Sequence, residues 1–238
     1  MSGPVGIIGG MGPAASEFFY KNVIEHTRAE RDQEHVDMII LNDVSMPDRT
    51  EAILSGDCEP VYSRLLSDAR MLSDCGCSAI AIICNTAHHF ADMLEGQIDI
   101  PILHMINGTV DAIEHSLKEQ VGAPARVGIM ATDGTIRTRL YQKAFEGRGI
   151  ETWCPDADIQ REVMHQIYDR VKRGLRYDRW SMERIDAAYR AAGCSHVVLG
   201  CTELSVIREQ EQLPGLYIDP MQILVKRVIE FSGKCYKP

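Results

Sequence analysis

One stretch of this chain occurs twice. Gly76-Cys77-Ser78 leads through five apolar residues to Cys84-Asn85-Thr86, and Gly193-Cys194-Ser195 leads through five mostly apolar residues to Cys201-Thr202. The two triplets, and likewise the two later cysteines, are 117 residues apart. Val5-Gly6-Ile7-Ile8 and Val127-Gly128-Ile129-Met130 form a second echo, 122 residues apart. A single long period in 238 residues implies two similar halves rather than a stack of short repeats. Two such halves facing each other would present two cysteines to one cleft.

Apolar runs alternate with helical periodicity along the whole chain, which predicts an α/β fold. In the first half, strands are expected at 5–8, 36–41, 79–83 and 101–103, with a loop over 42–50. Helices are expected at 14–28 (Phe18, Phe19, Val23 and Ile24 at helical spacing), 60–74 (Val61, Leu65, Leu66, Ala69 and Leu72 on one face), 88–95, and from Thr109. A loop at 120–125 restarts the cycle. Strands at 126–130, 150–153, 196–199 and 217–218 then alternate with helices at 136–148, 159–172, 178–192 and 221–231. The expectation is two pseudo-symmetric domains, each a mostly parallel sheet flanked by helices, with the active site in the inter-domain cleft. The first domain takes 1–105 plus about 210–238, the second 106–209.

A formal net charge of −9 argues against nucleic acid, which is gripped through Lys and Arg on phosphates. No apolar run reaches the roughly 20 residues of a membrane span. The N-terminus lacks a basic leader, so a cytoplasmic location is expected. The eight cysteines read as reduced thiols. Six of them are expected to be small buried hydrophobes.

Ligands of open parallel sheets bind beyond the carboxyl ends of the strands. Gly10 to Gly12, Asp48-Arg49, Cys84-Asn85-Thr86, Thr132 and Cys201-Thr202-Glu203 all fall at that edge. A thiol between a strand and a helix meets free N–H groups and the positive end of the helix, which favour the thiolate. Two such thiols on opposite sides of a substrate carbon suit inversion: one thiolate removes a proton while the other, as a thiol, delivers one to the far face. Asn85, Thr86 and Thr202 suit an α-carboxylate. Arg49 is the natural fork for a second carboxylate, and Lys172 a weaker candidate that also reads as a solvated charge. His88, four residues after Cys84, either packs and caps or tunes the thiolate. Cys84 and His88 lack a third ligand, so no metal is expected. Gly10-Met11-Gly12-Pro13-Ala14-Ala15 also fits a dinucleotide fingerprint, but the acidic residue that should follow about 20 positions on is not at a strand end. The loop reads instead as a seat for a small carboxylate.

With these residues in view, the chain resembles the aspartate/glutamate racemase superfamily, on the aspartate racemase side. The motifs are GIIGGMGP from Gly6, MPDRT from Met46, CNTAH from Cys84 and GCTEL from Gly200. Glutamate racemases carry similar CNTA and GCT elements but typically continue as GCTH. The N-terminal motif of the family usually ends in Thr where this chain has Ser16. The resemblance implies a cofactor-independent, usually dimeric racemase with Cys84 and Cys201 as the catalytic pair. It implies that Arg49 and Lys172 contact the side-chain carboxylate, with Met11, Asn85, Thr86 and Thr202 around the amino acid. Ala87, Thr132 and Glu203, inside or beside these elements, complete the expected substrate-binding set. The implied partner is a small acidic amino acid. The alternatives are a racemase of glutamate or of acidic amino acids broadly, and a non-catalytic binder of an acidic amino acid or a nucleotide.

Overall fold

The computed structural model describes residues 3–119, 126–211 and 213–238, so the loop expected at 120–125 lies outside the described residues. The first unit begins with β1 (Val5–Gly9), α1 (Pro13–His26), β2 (Met38–Asn42), α2 (Arg49–Ser55), α3 (Glu59–Asp74), β3 (Ala79–Ile82) and α4 (Ala91–Glu95). The second holds α5 (Met105–Glu119), β4 (Arg126–Ala131), α6 (Asp133–Thr138), α7 (Leu140–Glu146), β5 (Glu151–Trp153), α8 (Ala157–Met164), α9 (Arg179–Ala191), β6 (His196–Gly200), α10 (Thr202–Glu211) and β7 (Tyr217–Ile218). The last helix, α11 (Pro220–Phe231), returns to the first unit. Contacts divide the chain at 105/106 and 220/221. The return falls later than the expected 210 because β7 pairs with β6 and so completes the second sheet.

Both sheets are parallel and share one strand order. The first runs β2-β1-β3, with a parallel bridge from Ile80 to Ile102 beyond β3; the second runs β5-β4-β6-β7. The expected strand at 101–103 is thus reduced to one bridge, beside a proline that has no N–H to give a ladder. Central strands are apolar throughout because both faces are covered. Val5, Ile7, Ala79 and Ala81 pack with Phe18, Phe19 and Val23 of α1 and Leu224, Val225 and Val228 of α11. Ile8, Ile80 and Ile82 face Val61, Leu65 and Leu72 of α3. In the second unit Val127 and Ile129 face Val110 and Ile113 of α5, while Val197 and Leu199 face Ile185 and Tyr189 of α9.

The repeated Gly-Cys-Ser is a helix-to-strand joint built twice. Gly76 (φ 80°) and Gly193 (φ 71°) follow α3 and α9 in the left-handed conformation that glycine adopts without steric cost. The next N–H then reaches back into the helix: Cys77 to the Leu72 carbonyl at 3.1 Å, Cys194 to that of Tyr189 at 3.2 Å. Each cysteine fills the space left by a glycine in the central strand. A Cβ at Gly6 would lie 3.1 Å from the Cys77 sulphur, and one at Gly128 would lie 3.1 Å from that of Cys194. The serines start the strands, Ser78 N–H bonding the Pro4 carbonyl and Ser195 N–H that of Arg126, each at 2.9 Å.

Several local expectations need correction. Arg49–Ser55 is helical where the loop was to reach residue 50, because Asp48 caps it by accepting from the Glu51 N–H at 2.9 Å. The helix expected from Thr109 begins at Met105, and the helix that the strand-to-helix reading of Cys201 requires is α10. The helix expected at 136–148 breaks at Arg139, which has φ 57°. Ile24 is exposed, and Leu66 only partly buried. Of the six cysteines expected in the core, Cys77 and Cys194 are buried, Cys58 and Cys154 half-buried, and Cys75 and Cys235 exposed; all eight cysteines are free thiols.

Candidate active site

In the first unit β3 delivers Ile83 and then Cys84 to the carboxyl edge of the sheet, and a helical turn begins at Thr86. Cys84, Asn85, Thr86, Ala87 and His88 are all buried. His88 spans the turn: its Nδ1 lies 2.8 Å from the Cys84 carbonyl, and its Nε2 accepts the Met105 N–H at 3.1 Å. An accepting Nε2 puts the ring proton on Nδ1, so Nδ1–H donates to Cys84. Burial pushes the imidazole down to about 4, against a raising hydrogen bond to the Cys84 backbone. Of the two roles open to His88, its ring bonds favour packing: a neutral ring fixes the main chain at Cys84. Among the described residues no side chain hydrogen-bonds the Cys84 sulphur.

This arrangement has a pH signature. The folded value for His88 lies below the ordinary 6.5, so the unfolded chain takes up a proton first. The associated stability is whole above pH 6.5 and drains away as pH falls toward about 4. Urea melts of the unmodified protein should therefore lose about 1–3 kcal/mol over that window, while His88→Gln gives a flatter curve. Equal slopes for the two proteins would contradict this account.

The Gly10–Gly12 turn is closed by Ser16, whose hydroxyl accepts the Gly10 N–H at 2.8 Å and donates to the Gly12 carbonyl at 3.2 Å. Ser16 thereby does the work of a hydroxyl at this position. Met11 is buried in one apolar cluster with Met46, Cys84 and Ala87. The Arg49 side chain, 7% exposed, donates to the carbonyls of Pro47 at 3.0 Å and of Met46 and Met11 at 3.4 Å. The first unit therefore gathers Met11, Arg49 and the Cys84 turn at one sheet edge.

Behind Gly10 stands Asp43, whose carboxylate takes a 2.5 Å bond from Arg64 Nε and a 2.6 Å bond from the Ser45 hydroxyl. The guanidinium holds Asp43 down at about 2, while burial lifts neighbouring Asp68 to about 6. Asp43 is the acid nearest the end of β2, and its side chain is engaged by these two partners.

In the second unit β6 carries Cys201, Thr202 and Glu203 to the equivalent edge, all three buried. The Cys201 thiol donates to Glu203 Oε2 at 2.8 Å, and the Thr202 hydroxyl to the same oxygen at 3.3 Å. Sequence reasoning missed the groups around them. Tyr141 of α7 is fully buried, bonds Thr109, and is kept neutral by burial; the charges of Asp219 and Cys201 both bear on it. Asp219 accepts from the Ser205 hydroxyl at 2.7 Å. Its place just after β7 was a readable signal, whereas nothing in the sequence marks Tyr141. Thr132 caps α6, its Oγ1 accepting the Thr135 N–H at 3.3 Å, next to β6 through the pairing of Ala131 with Gly200. Lys172 is exposed, with its amine 4.4 Å from the centre of the Tyr168 ring, on a turn that packs against α10.

Each unit thus sets one buried thiol at the carboxyl end of a strand in the same sheet position, followed by Asn85 and Thr86 in the first unit and by Thr202 and Glu203 in the second. The model of the Asp/Glu/Hydantoin racemase family matches residues 8–228. The chain belongs to this family. It is 24% identical over 235 residues to the broad specificity amino-acid racemase RacX of Bacillus subtilis, covering 94% of this chain and 96% of that one. Among solved structures it resembles the aspartate racemase of Picrophilus torridus, with 29% identity, TM-score 0.79, and coverage of 99% and 96%. The glutamate racemase of Francisella tularensis, solved with D-glutamate, shares the fold at 20% identity and TM-score 0.69, with coverage of 96% and 80%. Among the described residues no helix is long and apolar enough to cross a membrane.

Proposed function

We propose that this racemase-family protein interconverts L- and D-aspartate by a two-thiol mechanism that uses no pyridoxal phosphate. The observation that carries the reading is the pair of buried cysteines, Cys84 and Cys201, at equivalent strand ends of two units with one strand order. A thiolate removes the α-proton, the electron pair stays on the α-carbon, and the other thiol returns a proton to the opposite face. Neither a hydrolase nor a simple binding protein requires two such groups. Asn85, Thr86 and Thr202, with the N–H groups around them, hold the α-carboxylate as charge builds beside it. Arg49, a buried cation tied to the Met11 carbonyl, takes the side-chain carboxylate. The likeness to the Picrophilus torridus aspartate racemase across almost the whole chain supports aspartate. A second reading, broad amino-acid specificity, draws support from the full-length likeness to RacX.

Arg49 separates the two. A charge-assisted pair with a substrate carboxylate is worth several kcal/mol when water is excluded. Arg49→Leu should then lower kcat/KM for aspartate about 100-fold or more, while changing that for a neutral amino acid by only a few-fold. Chiral chromatography of product from aspartate, glutamate and alanine measures it. Comparable turnover of all three by the unmodified protein, with a uniform loss in the variant, would favour the broad reading.

A further inference from the structure

The two thiols differ in one respect that the repeat does not predict. At the offset that superposes Cys84 on Cys201, Thr86 corresponds to Glu203. Glu203 is 4% exposed and Cys201 7%, and the carboxylate receives both the thiol at 2.8 Å and the Thr202 hydroxyl at 3.3 Å. An oxygen that accepts from two donors leaves the shared proton on sulphur. Taking it away would set a thiolate against a carboxylate out of water, where repulsion between like charges is strong. Of the ionisable groups that the structure sets near Cys201, Tyr141 is neutral, and Asp219, bonded by Ser205, is another acid. Lys172, on the turn packed against α10, has its amine over the Tyr168 ring. Nothing comparable hydrogen-bonds the Cys84 sulphur among the described residues.

We propose that Glu203 is a positioning residue that keeps the proton on Cys201, so that the free protein rests with Cys201 as the acid of the pair and Cys84 as the base. Its consequence for turnover rests on the racemase reading. In the resting form Cys84 thiolate takes the α-proton, forming S–H as C–H breaks. Cys201 S–H then breaks to form the new C–H bond, leaving a thiolate beside Glu203. That state regains its proton from water, and Cys84 surrenders one to water, before the same enantiomer is accepted again. The opposite enantiomer uses the unrested form directly. The two enantiomers are equal in free energy, so kcat/KM is the same in both directions, and the asymmetry surfaces as paired differences in kcat and KM.

The test reads the thiols themselves. Iodoacetamide alkylation is followed against pH, with peptide mass spectrometry assigning the rate to each cysteine. Midpoints are compared because, unlike absolute rates, they do not depend on access. In the unmodified protein the Cys201 midpoint should lie above that of Cys84. Glu203→Gln should raise the Cys201 rate at pH 7 about tenfold and leave the Cys84 profile in place. Coincident midpoints in the unmodified protein, or a Cys201 profile that does not move in Glu203→Gln, would overturn the proposal. If the variant does not fold, the comparison within the unmodified protein decides alone. Alkylation needs no turnover, so a protein that shifts as expected but never exchanges the aspartate α-proton would refute the racemase reading and leave the role of Glu203 standing.

Discussion

Cys84→Ser and Cys201→Ser should each lose racemisation by about a thousandfold or more, and the two losses should differ in kind. A serine hydroxyl keeps its proton at neutral pH and is a poor base, so the face it serves falls silent. The remaining thiol still meets the other face. With one sulphur left, an enantiomer whose α-hydrogen points at it can lose that hydrogen and regain a solvent proton on the same side. Each variant should therefore wash deuterium into one enantiomer of aspartate only, without inversion, and the two variants should choose opposite enantiomers. Proton NMR of L- and D-aspartate incubated separately in D2O reads this directly. Both variants exchanging the same enantiomer, or either keeping full two-way racemisation, would contradict assignment of one face to each thiol.

Gly10→Ala is expected to have the largest effect on stability. Gly10 has φ 87°, and a Cβ there would lie 2.4 Å from both the carbonyl carbon and the oxygen of Asp43. Those are main-chain atoms, and the Asp43 side chain is itself held by Arg64 and Ser45, so the neighbour cannot swing aside as a flexible side chain would. The left-handed backbone adds a penalty for any side chain. Together these should cost about 3 kcal/mol or more, a fall of roughly 6–12 °C in the melting temperature for a chain of this size. The displaced turn carries Met11, whose carbonyl accepts from Arg49, so activity toward aspartate should fall as well. Ser16→Ala, which removes only the hydroxyl that closes the turn, should cost less. A Gly10→Ala protein that melts within a degree or two of the parent would show that the turn can open without loss.

Legibility in the sequence followed the physics of each signal. The central strands were readable because burial on both faces demands unbroken apolar runs, and the repeat was readable because the same helix-to-strand joint needs Gly, Cys and Ser in the same order twice. Strand ends located Cys84 and Cys201 at sheet edges for the same reason. Edge features were harder. The segment at 101–103 reads as a strand, but one parallel bridge is all that it forms. The helix at Arg49 carries a local signal, Asp48 and Glu51 at cap spacing, whereas the start of α5 at Met105 is tied to a bond with His88 seventeen positions earlier. Side-chain partnerships were least visible. That His88 would grip the Cys84 carbonyl, that Glu203 would take the Cys201 thiol, and that Thr132 would cap α6 depend on rotamers and on neighbours brought in by other elements. Lys172, the second cation of the expected set, has its amine over the Tyr168 ring, a contact between near neighbours that the sequence does not mark.

The most direct test of two thiols acting on one carbon is the isotopic content of each enantiomer early in the reaction. The unmodified, reduced protein would be incubated with protiated L-aspartate in D2O without added cofactor, stopped at low conversion, and separated by chiral chromatography with mass detection. If one sulphur removes the proton and the other, equilibrated with solvent, supplies a new one, the D-aspartate formed should carry deuterium at the α-carbon while recovered L-aspartate remains protiated. Protium carried into the D-aspartate would mean that a single base serves both faces, and would contradict the account.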